Sequence, residues 1–346
     1  MLLKVFNVQF PMPTDKIMKT IQVLNIPNFY LSYYLLGLHQ AYKVQFKMDS
    51  NFAKFNNKPL LIFKIDDRIA VIDTDDPTGV HPELYELASV YFVTNKLINH
   101  DSYKQPKVKP LYPHYPVNIA LLYCRIFGLG LFRYLKFKEG LQQIYILWRR
   151  PLYIQYKKSF KKDNFIFFSS NIWKKEPETN QIRAEFIRFC KADNRITFKG
   201  GFVPRTDGHN YGFDNELNDE KYSPKLFSKL SASSKIVLNN PAVCGAVSWR
   251  LAEYLNQGLF VLSFPFKIEL PQNFKQDTEV HFIEHTTEYK AVFDTIIANP
   301  AYHEAVAAHG KFYFDTYCTP QAQAKYVVES VFNSPPNLRA DLKSNS

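Results

Sequence analysis

The sequence predicts an α/β fold built as two successive units, and three observations carry that expectation. Short β-branched and aromatic runs alternate with helix-period segments from residue 19 onward, a succession that suits α/β layers rather than an all-β protein. The same rhythm starts again at residue 165, after a basic stretch with no period. The length, 346 residues with 46% hydrophobic positions, supplies two cores of ordinary size. The expected limits are residues 1–155 for the first unit, 156–332 for the second, and a frayed tail at 333–346.

In the first unit KTIQVLNI (residues 19–26) reads as a strand, LSYYLLGLHQAY as an aromatic-rich helix and KVQFK as a second strand. PLLIFKIDDRIAVIDTDDP then alternates short β-rich runs with acidic turns and ends in Asp75, Asp76 and Pro77, the signal of a loop at a strand end. HPELYELASVYFVTN gives a short helix and another strand. Residues 99–116, rich in Pro, Lys and Tyr, form a long loop of the kind that often carries function. The most apolar stretch, residues 117–135, is interrupted by Arg125 and Arg133. It is therefore expected as a buried core helix rather than a membrane span. A monotopic membrane contact is the alternative, since leucines, aromatics and cations interleave there.

The second unit opens with the strand FIFFSS (165–170) and the loop NIWKKEPETN. The helix QIRAEFIRFCKA follows, with Ile182, Phe186 and Phe189 on its apolar face. RITFKG is the next strand, expected to end at Gly200 and Gly201. After a polar loop, Ser223 and Pro224 cap and start another helix, and KIVLNN closes the unit's first half as a strand. Residues 235–266 read strand, loop, helix, glycine stop and strand. Val247, Leu251, Tyr254 and Leu255 form the buried stripe, and Gly258 ends the helix. The continuously apolar LFVLS suits an interior parallel strand. Two helices separated at Asn299–Pro300 follow, then a last helix, PQAQAKYVVESVF, packing through Tyr326, Val327, Val328 and Phe332.

A formal net charge of +11 favours anionic partners, whether nucleotides, phospholipid headgroups or nucleic acid, without choosing among them. Cys124, Cys190, Cys244 and Cys318 lie too far apart for a zinc or redox motif, so reduced thiols in a cytoplasmic protein are expected. The first residues do not read as a signal peptide, because Pro11 and Pro13 break a short apolar run. Neither half has a G-x-G-x-x-G loop after its first strand or a P-loop, which disfavours a dehydrogenase and standard NAD or ATP sites.

The chemistry concentrates around Arg250 and Glu253, three residues apart on one helical face. Ser248 and Trp249 stand near the start of that helix, where backbone N–H groups favour phosphate. A surface ion pair is the plain alternative. The stretch resembles the donor-binding helix of GT-B-fold glycosyltransferases, with the pattern G-x-x-S-x-R-L-x-E-x-L-x-x-G ahead of a strand and a proline. Here it comprises Gly245, Ser248, Arg250, Leu251, Glu253, Leu255 and Gly258. The segment around Trp173, Asn180 and Arg183, and PQAQAKYVV near the end, are similar to bacterial relatives that build cell-surface polysaccharides, with weaker similarity to exostosin-like transferases.

The resemblance implies two Rossmann-like domains facing across a cleft. A nucleotide-sugar donor would bind in the second domain and a glycan or lipid-linked acceptor in the first, with no metal or other cofactor. Glu253 would accept from the donor ribose, Arg250 and the amides from Gly245 to Ser248 would hold the diphosphate, and Asn171 to Lys174, including Trp173, would lie near the cleft. Retaining members often carry a second glutamate eight residues earlier; Gly245 stands there, so the stereochemistry is undecided.

For a catalytic base the candidates are Asp75 and Asp76, which follow a strand, and His114, flanked by tyrosines in YPHYP; Asp73 and His81 qualify by residue type. Turn-forming aspartates are the alternative for the DTDD cluster. Two other classes compete: a basic nucleic-acid-binding protein, and a non-catalytic GT-B-like interaction protein. A cytoplasmic location with peripheral contact to anionic membrane is the expectation for the enzyme.

Overall fold

The computed structural model describes residues 19–156 and 164–335; the N-terminal residues, the basic run at 157–163 and the tail from 336 lie outside the described residues. In the first half the order is β1 (Thr20–Val23), α1 (Ser32–Ala41), β2 (Lys43–Phe46), β3 (Leu60–Ile65), β4 (Arg68–Asp73), α2 (Pro82–Leu87), β5 (Val90–Val93) and β6 (Val108–Pro110). Three helices follow, α3 (Ala120–Phe127), α4 (Gly130–Tyr134) and α5 (Phe137–Arg149). The strands form one sheet in the order β2-β1-β3-β4-β5-β6. All neighbours are parallel except β3, which runs antiparallel between β1 and β4.

β1 is shorter than its apolar run. Buried Asn25 leaves the strand and replaces ladder bonds with its side chain, donating to the carbonyls of Leu60 and Phe55 and accepting from Ile62 N–H. β6 lies inside the stretch expected to be loop. The apolar run at 117–135 is not one core helix: it breaks at Gly128, which takes φ +50°. Tyr123, Phe127 and Leu131 are buried, whereas Leu121 and Leu129 face outward.

The second half comprises β7 (Phe165–Asn171), α6 (Pro177–Ala192), β8 (Thr197–Val203), α7 (Pro224–Ser231), β9 (Ile236–Asn239), α8 (Arg250–Asn256), β10 (Phe260–Ser263) and β11 (His281–Phe282). Three helices close it: α9 (Tyr289–Ala298), α10 (Pro300–Tyr313) and α11 (Pro320–Phe332). β7 pairs with β8, and β9, β10 and β11 pair in that order, all parallel. β9 is set beside β7 by Lys235 N–H donating to Phe165 O (2.6 Å) and Phe167 N–H donating to Ser234 Oγ (2.9 Å). On the far edge Phe202 of β8 bridges Leu217 in parallel. The order is thus that of a Rossmann-like sheet, reversing direction between β7 and β9. β8 does not stop at its glycines but runs through them to Val203. It passes so close to β7 that a Cβ on Gly200 would lie 2.0 Å from Phe168 O.

The last helix returns to the first half. α11 lies on α1, and the helices touch so closely that a Cβ on Gly37 would meet Pro320 O at 1.9 Å. Tyr33 Oη donates to Cys318 O (2.6 Å) beside the crossing. One hydrophobic core consequently joins Tyr33 and Leu38 of α1 with Leu251 and Leu255 of α8 and Val327 and Val331 of α11. The architecture is α/β and GT-B-like, two Rossmann-like sheets joined through this shared core.

Candidate functional site

In open parallel sheets ligands bind beyond the carboxyl ends of the strands, where the strand order reverses. Here the carboxyl-end loops of the two sheets meet. Asn95, after β5, accepts Val247 N–H through Oδ1 (3.0 Å), and Leu97 bridges Ile268 in antiparallel fashion. Ile98 N–H donates to Lys267 O (3.0 Å), and Glu269 N–H donates to Lys96 O (2.8 Å). After β6, Tyr115 Oη accepts from Asn256 at the end of α8 (2.7 Å).

Arg250 and Glu253 open α8 at this junction. Arg250 Nη1 donates to Glu253 Oε2 at 2.7 Å, and its guanidinium lies 3.5 Å from the Phe227 ring centroid. Glu253 is 4% exposed, and its second oxygen, Oε1, is buried with no donor among the described residues. A buried carboxylate oxygen left unpaired costs free energy, so the position favours a ligand or water hydroxyl. Arg150, just beyond α5, brings a second guanidinium, held between the rings of Phe29 (4.9 Å) and Trp249 (5.0 Å). Burial lowers the pKa of Arg150 from its usual value, and the Arg250 charge lowers it further. Between Tyr115, Arg150, Trp249, Arg250 and Glu253 is a cavity of about 10 Å³, the size of a single water.

Tyr30, from the loop after β1, lies 5.7 Å from Trp249, ring to ring. Burial raises its hydroxyl pKa, with Arg150 lowering it and Asp76 and Asp75 raising it. The carboxylates of Asp75 and Asp76 are exposed, and their charges act on Tyr30. They also shape their own turn: Asp73 Oδ1 accepts Asp75 N–H and Asp75 Oδ1 accepts Asp76 N–H, both at 2.9 Å. Beneath them Asp73 is buried against Tyr91 Oη (2.6 Å). Burial pushes its carboxyl up from 3.8 to about 6, against the hydrogen bonds from Tyr91 and Asp75. His81 contributes its backbone N–H to Tyr91 Oη (3.3 Å).

His114 is not brought to these carboxylates. Its ring lies 4.9 Å from Tyr34 and 6.2 Å from Tyr33, on the α1 side where α11 docks. Burial lowers its imidazole to about 3, so it is neutral at pH 7. The loop after β9 also departs from expectation. Residues Val243–Gly245 form a tight turn in which Cys244 takes φ +55°, and the helix begins only at Arg250. Three of the four amides expected to hold a diphosphate have protein partners: Gly245 N–H donates to Ala242 O, Ala246 N–H to Val243 O, and Val247 N–H to Asn95. Cys244 N–H donates to Glu176 Oε1 (2.9 Å), so this loop already holds an anionic group. The stem of Lys267 covers Gly245, 3.1 Å from where a Cβ would stand. Ser248 Oγ accepts Arg250 N–H (3.3 Å) and serves the helix start.

Asn171 ends β7 and Trp173 lies in the loop after it, both clamped from α6. Asn180 accepts Trp173 N–H (2.9 Å) and donates to Trp173 O (2.7 Å). Arg183 donates to Asn171 O (3.0 Å) and stacks 3.8 Å from the Trp173 ring centroid; burial lowers its pKa to about 10. Trp173 and Lys174 line a groove of about 880 Å³ with Tyr211, Phe213, Phe264 and His285. The site residues thus fall into two groups, Arg250–Glu253 at the junction of the sheets and Trp173 in the groove, linked by the Glu176 contact. Elsewhere Asp207 is bound by Arg205, and His281 lies against Tyr302.

Arg150, Tyr30, Asn95, Glu176 and Lys267 did not emerge from the sequence as site residues. The only local signal was the Arg-Arg-Pro end of an apolar helix, which reads equally well as a solvated hinge.

No family model matches the chain, and no curated protein does. Solved structures similar to it include Anabaena Alr3699/HepE in complex with UDP (8% identity, 86% of this chain and 80% of that one, TM-score 0.46). Another is the C-terminal domain of a glycosyl transferase group 1 family protein, LpcC, from Francisella tularensis (16% identity, 45% and 85%, TM-score 0.31). A third is TarM of S. aureus, of whose length the chain spans about half (12% identity, 76% and 54%, TM-score 0.40). These are likenesses of chain course; the chemistry rests on the residues described above.

Proposed function

We propose that the chain is a glycosyltransferase that moves a sugar from a nucleotide-sugar to a glycan or lipid-linked acceptor in the cleft between its two sheets. The observation that carries this reading is the buried, unpaired Oε1 of Glu253 beside two guanidiniums, Arg250 and Arg150, at the carboxyl ends of both sheets. An acceptor for ribose hydroxyls next to cations for a diphosphate is the donor set such a substrate needs. Asp75 and Asp76, whose charges act on Tyr30, are our candidates to take the acceptor's proton. Trp173 and the aromatic groove offer faces for a sugar or a base.

The occupied amides around Cys244 and the one-water cavity favour a second reading, a GT-B-like interaction protein that binds no donor. Calorimetric titration against nucleoside diphosphates and nucleotide-sugars separates the two. Saturable micromolar binding of one nucleotide, with slow hydrolysis or transfer of its sugar, supports the enzyme. A folded chain that binds none of them overturns that reading in favour of the second.

A further inference from the structure

The apolar surface of the protein is concentrated in one place. Among the described residues, ten of the fourteen exposed large hydrophobic side chains fall between residues 121 and 154, on α3, α4, α5 and the segment after them. α5 is inverted relative to an ordinary surface helix. Phe137, Leu141, Tyr145 and Trp148, spaced as one stripe, are 66%, 46%, 54% and 64% exposed, while the buried stripe is Gly140, Gln143 and Leu147. That orientation is anchored: Gln143 Oε1 accepts Phe29 N–H (2.9 Å), and its Nε2 donates to Asn57 Oδ1 (2.8 Å). The outward leucines and aromatics are thus held in solvent by the buried face. A contiguous apolar surface of this kind marks a binding face.

Its charge selects the occupant. Arg125, Arg133, Lys136, Lys138 and Arg149 are exposed among the apolar groups, and Glu139 is the one acid between residues 121 and 154. Two copies packed through this face would oppose like charges. An anionic lipid surface instead takes the cations at its headgroups and the side chains at its acyl boundary. Among the described residues no helix is long and apolar enough to cross a membrane, so the contact is one that lies in the plane. We propose that the outer face of α3 to α5 seats the protein on anionic lipid bilayers. Because Arg149 ends α5 and Arg150 enters the cleft, seating it there brings the mouth of the cleft to the headgroup layer. The inference does not depend on glycosyl transfer, although it suits an acceptor carried on lipid.

The test is co-sedimentation of the full chain with phosphatidylglycerol–phosphatidylcholine vesicles and with pure phosphatidylcholine at about 0.1 M salt, where surface charges still act over about 10 Å. The expected result is binding to the anionic vesicles, weakened at least about tenfold in the Leu141→Ser/Trp148→Ser variant, since two large apolar side chains leave the interface. Circular dichroism and urea denaturation of the variant should match the parent, because both positions are exposed. Replacing Arg125, Arg133, Lys136 and Lys138 by Gln should remove the preference for anionic over neutral vesicles. Brominated lipid should quench Trp148, read as the part of the quenching lost in Trp148→Phe. Failure of the parent to bind anionic vesicles, equal binding by the Leu141→Ser/Trp148→Ser variant, or a parent dimer that this variant dissociates would each overturn the proposal.

Discussion

Replacing Glu253 by Gln keeps the side chain's volume and removes its charge, which isolates what the carboxylate does. In the free protein the change breaks the 2.7 Å ion pair with Arg250, whose side chain is 26% exposed against 6% for Glu253. Breaking a fully buried pair costs about 3–5 kcal/mol and an exposed one about 0–1, so roughly 1–2 kcal/mol of stability is expected here. Against a nucleotide, a lost hydrogen bond between a hydroxyl and a charged group is worth about 1.5–3 kcal/mol, or about 10- to 150-fold in Kd. The assay is calorimetry of parent and variant with a nucleoside diphosphate, its 2′,3′-dideoxy analogue and inorganic pyrophosphate. The parent should prefer the nucleotide with its ribose hydroxyls, and Glu253→Gln should erase that preference. Pyrophosphate should bind the variant as well or more tightly, since a negative charge beside Arg250 has gone. A variant that keeps the parent's preference for ribose hydroxyls, or that loses pyrophosphate in parallel with the nucleotide, refutes the assignment of Glu253 to ribose.

Three further outcomes are expected. Asp73, pushed by burial from 3.8 to about 6, holds in the folded state a proton that the unfolded chain releases. Stability should therefore fall as pH rises from 3.8 through about 6, by up to about 3 kcal/mol at about 1.36 kcal/mol per pH unit, and stay lost above it. Urea denaturation across pH should show that slope reduced in Asp73→Asn. Asn180→Ala strands both backbone groups of Trp173 at a cost of about 1–3 kcal/mol, and acrylamide should then quench Trp173 more readily. Gly37→Ala forces a Cβ against Pro320 O and should destabilise the protein by about 1–3 kcal/mol or more, read from its denaturation midpoint.

The elements that were legible in the sequence are those whose pattern is set by burial on one scale. β9 and β10 are short runs buried on both faces, β7 opens with the apolar run Phe165–Phe168, and the stripe of Leu251, Tyr254 and Leu255 announced α8. β6 escaped because three residues ending in a proline, paired to β5 at one edge of the sheet, leave no period to read. The antiparallel insertion of β3 is a fact of pairing that alternation alone does not encode. Site residues divided the same way. Arg250 and Glu253 share one helix turn, so their pairing follows from spacing. Arg150 reaches its place only because α5 ends against Phe29 and Trp249, a contact between segments distant in sequence. His114 looked suited to catalysis by its tyrosine neighbours, yet those near its ring, Tyr33 and Tyr34, come from α1.

The closure of α1 by α11 also orders events at the ribosome. Tyr33 and its partner Cys318 are separated by 285 residues, so at roughly 5–20 residues per second about 15–60 s pass between their syntheses. Throughout that interval the α1 surface around Gly37 is bare on the nascent chain. The parallel strands of the second half can pair meanwhile, since β7 to β11 precede α11. The half of the protein made first is therefore the half finished last. A chaperone or a premature stop near residue 320 would act on the N-terminal sheet before it touched the C-terminal one.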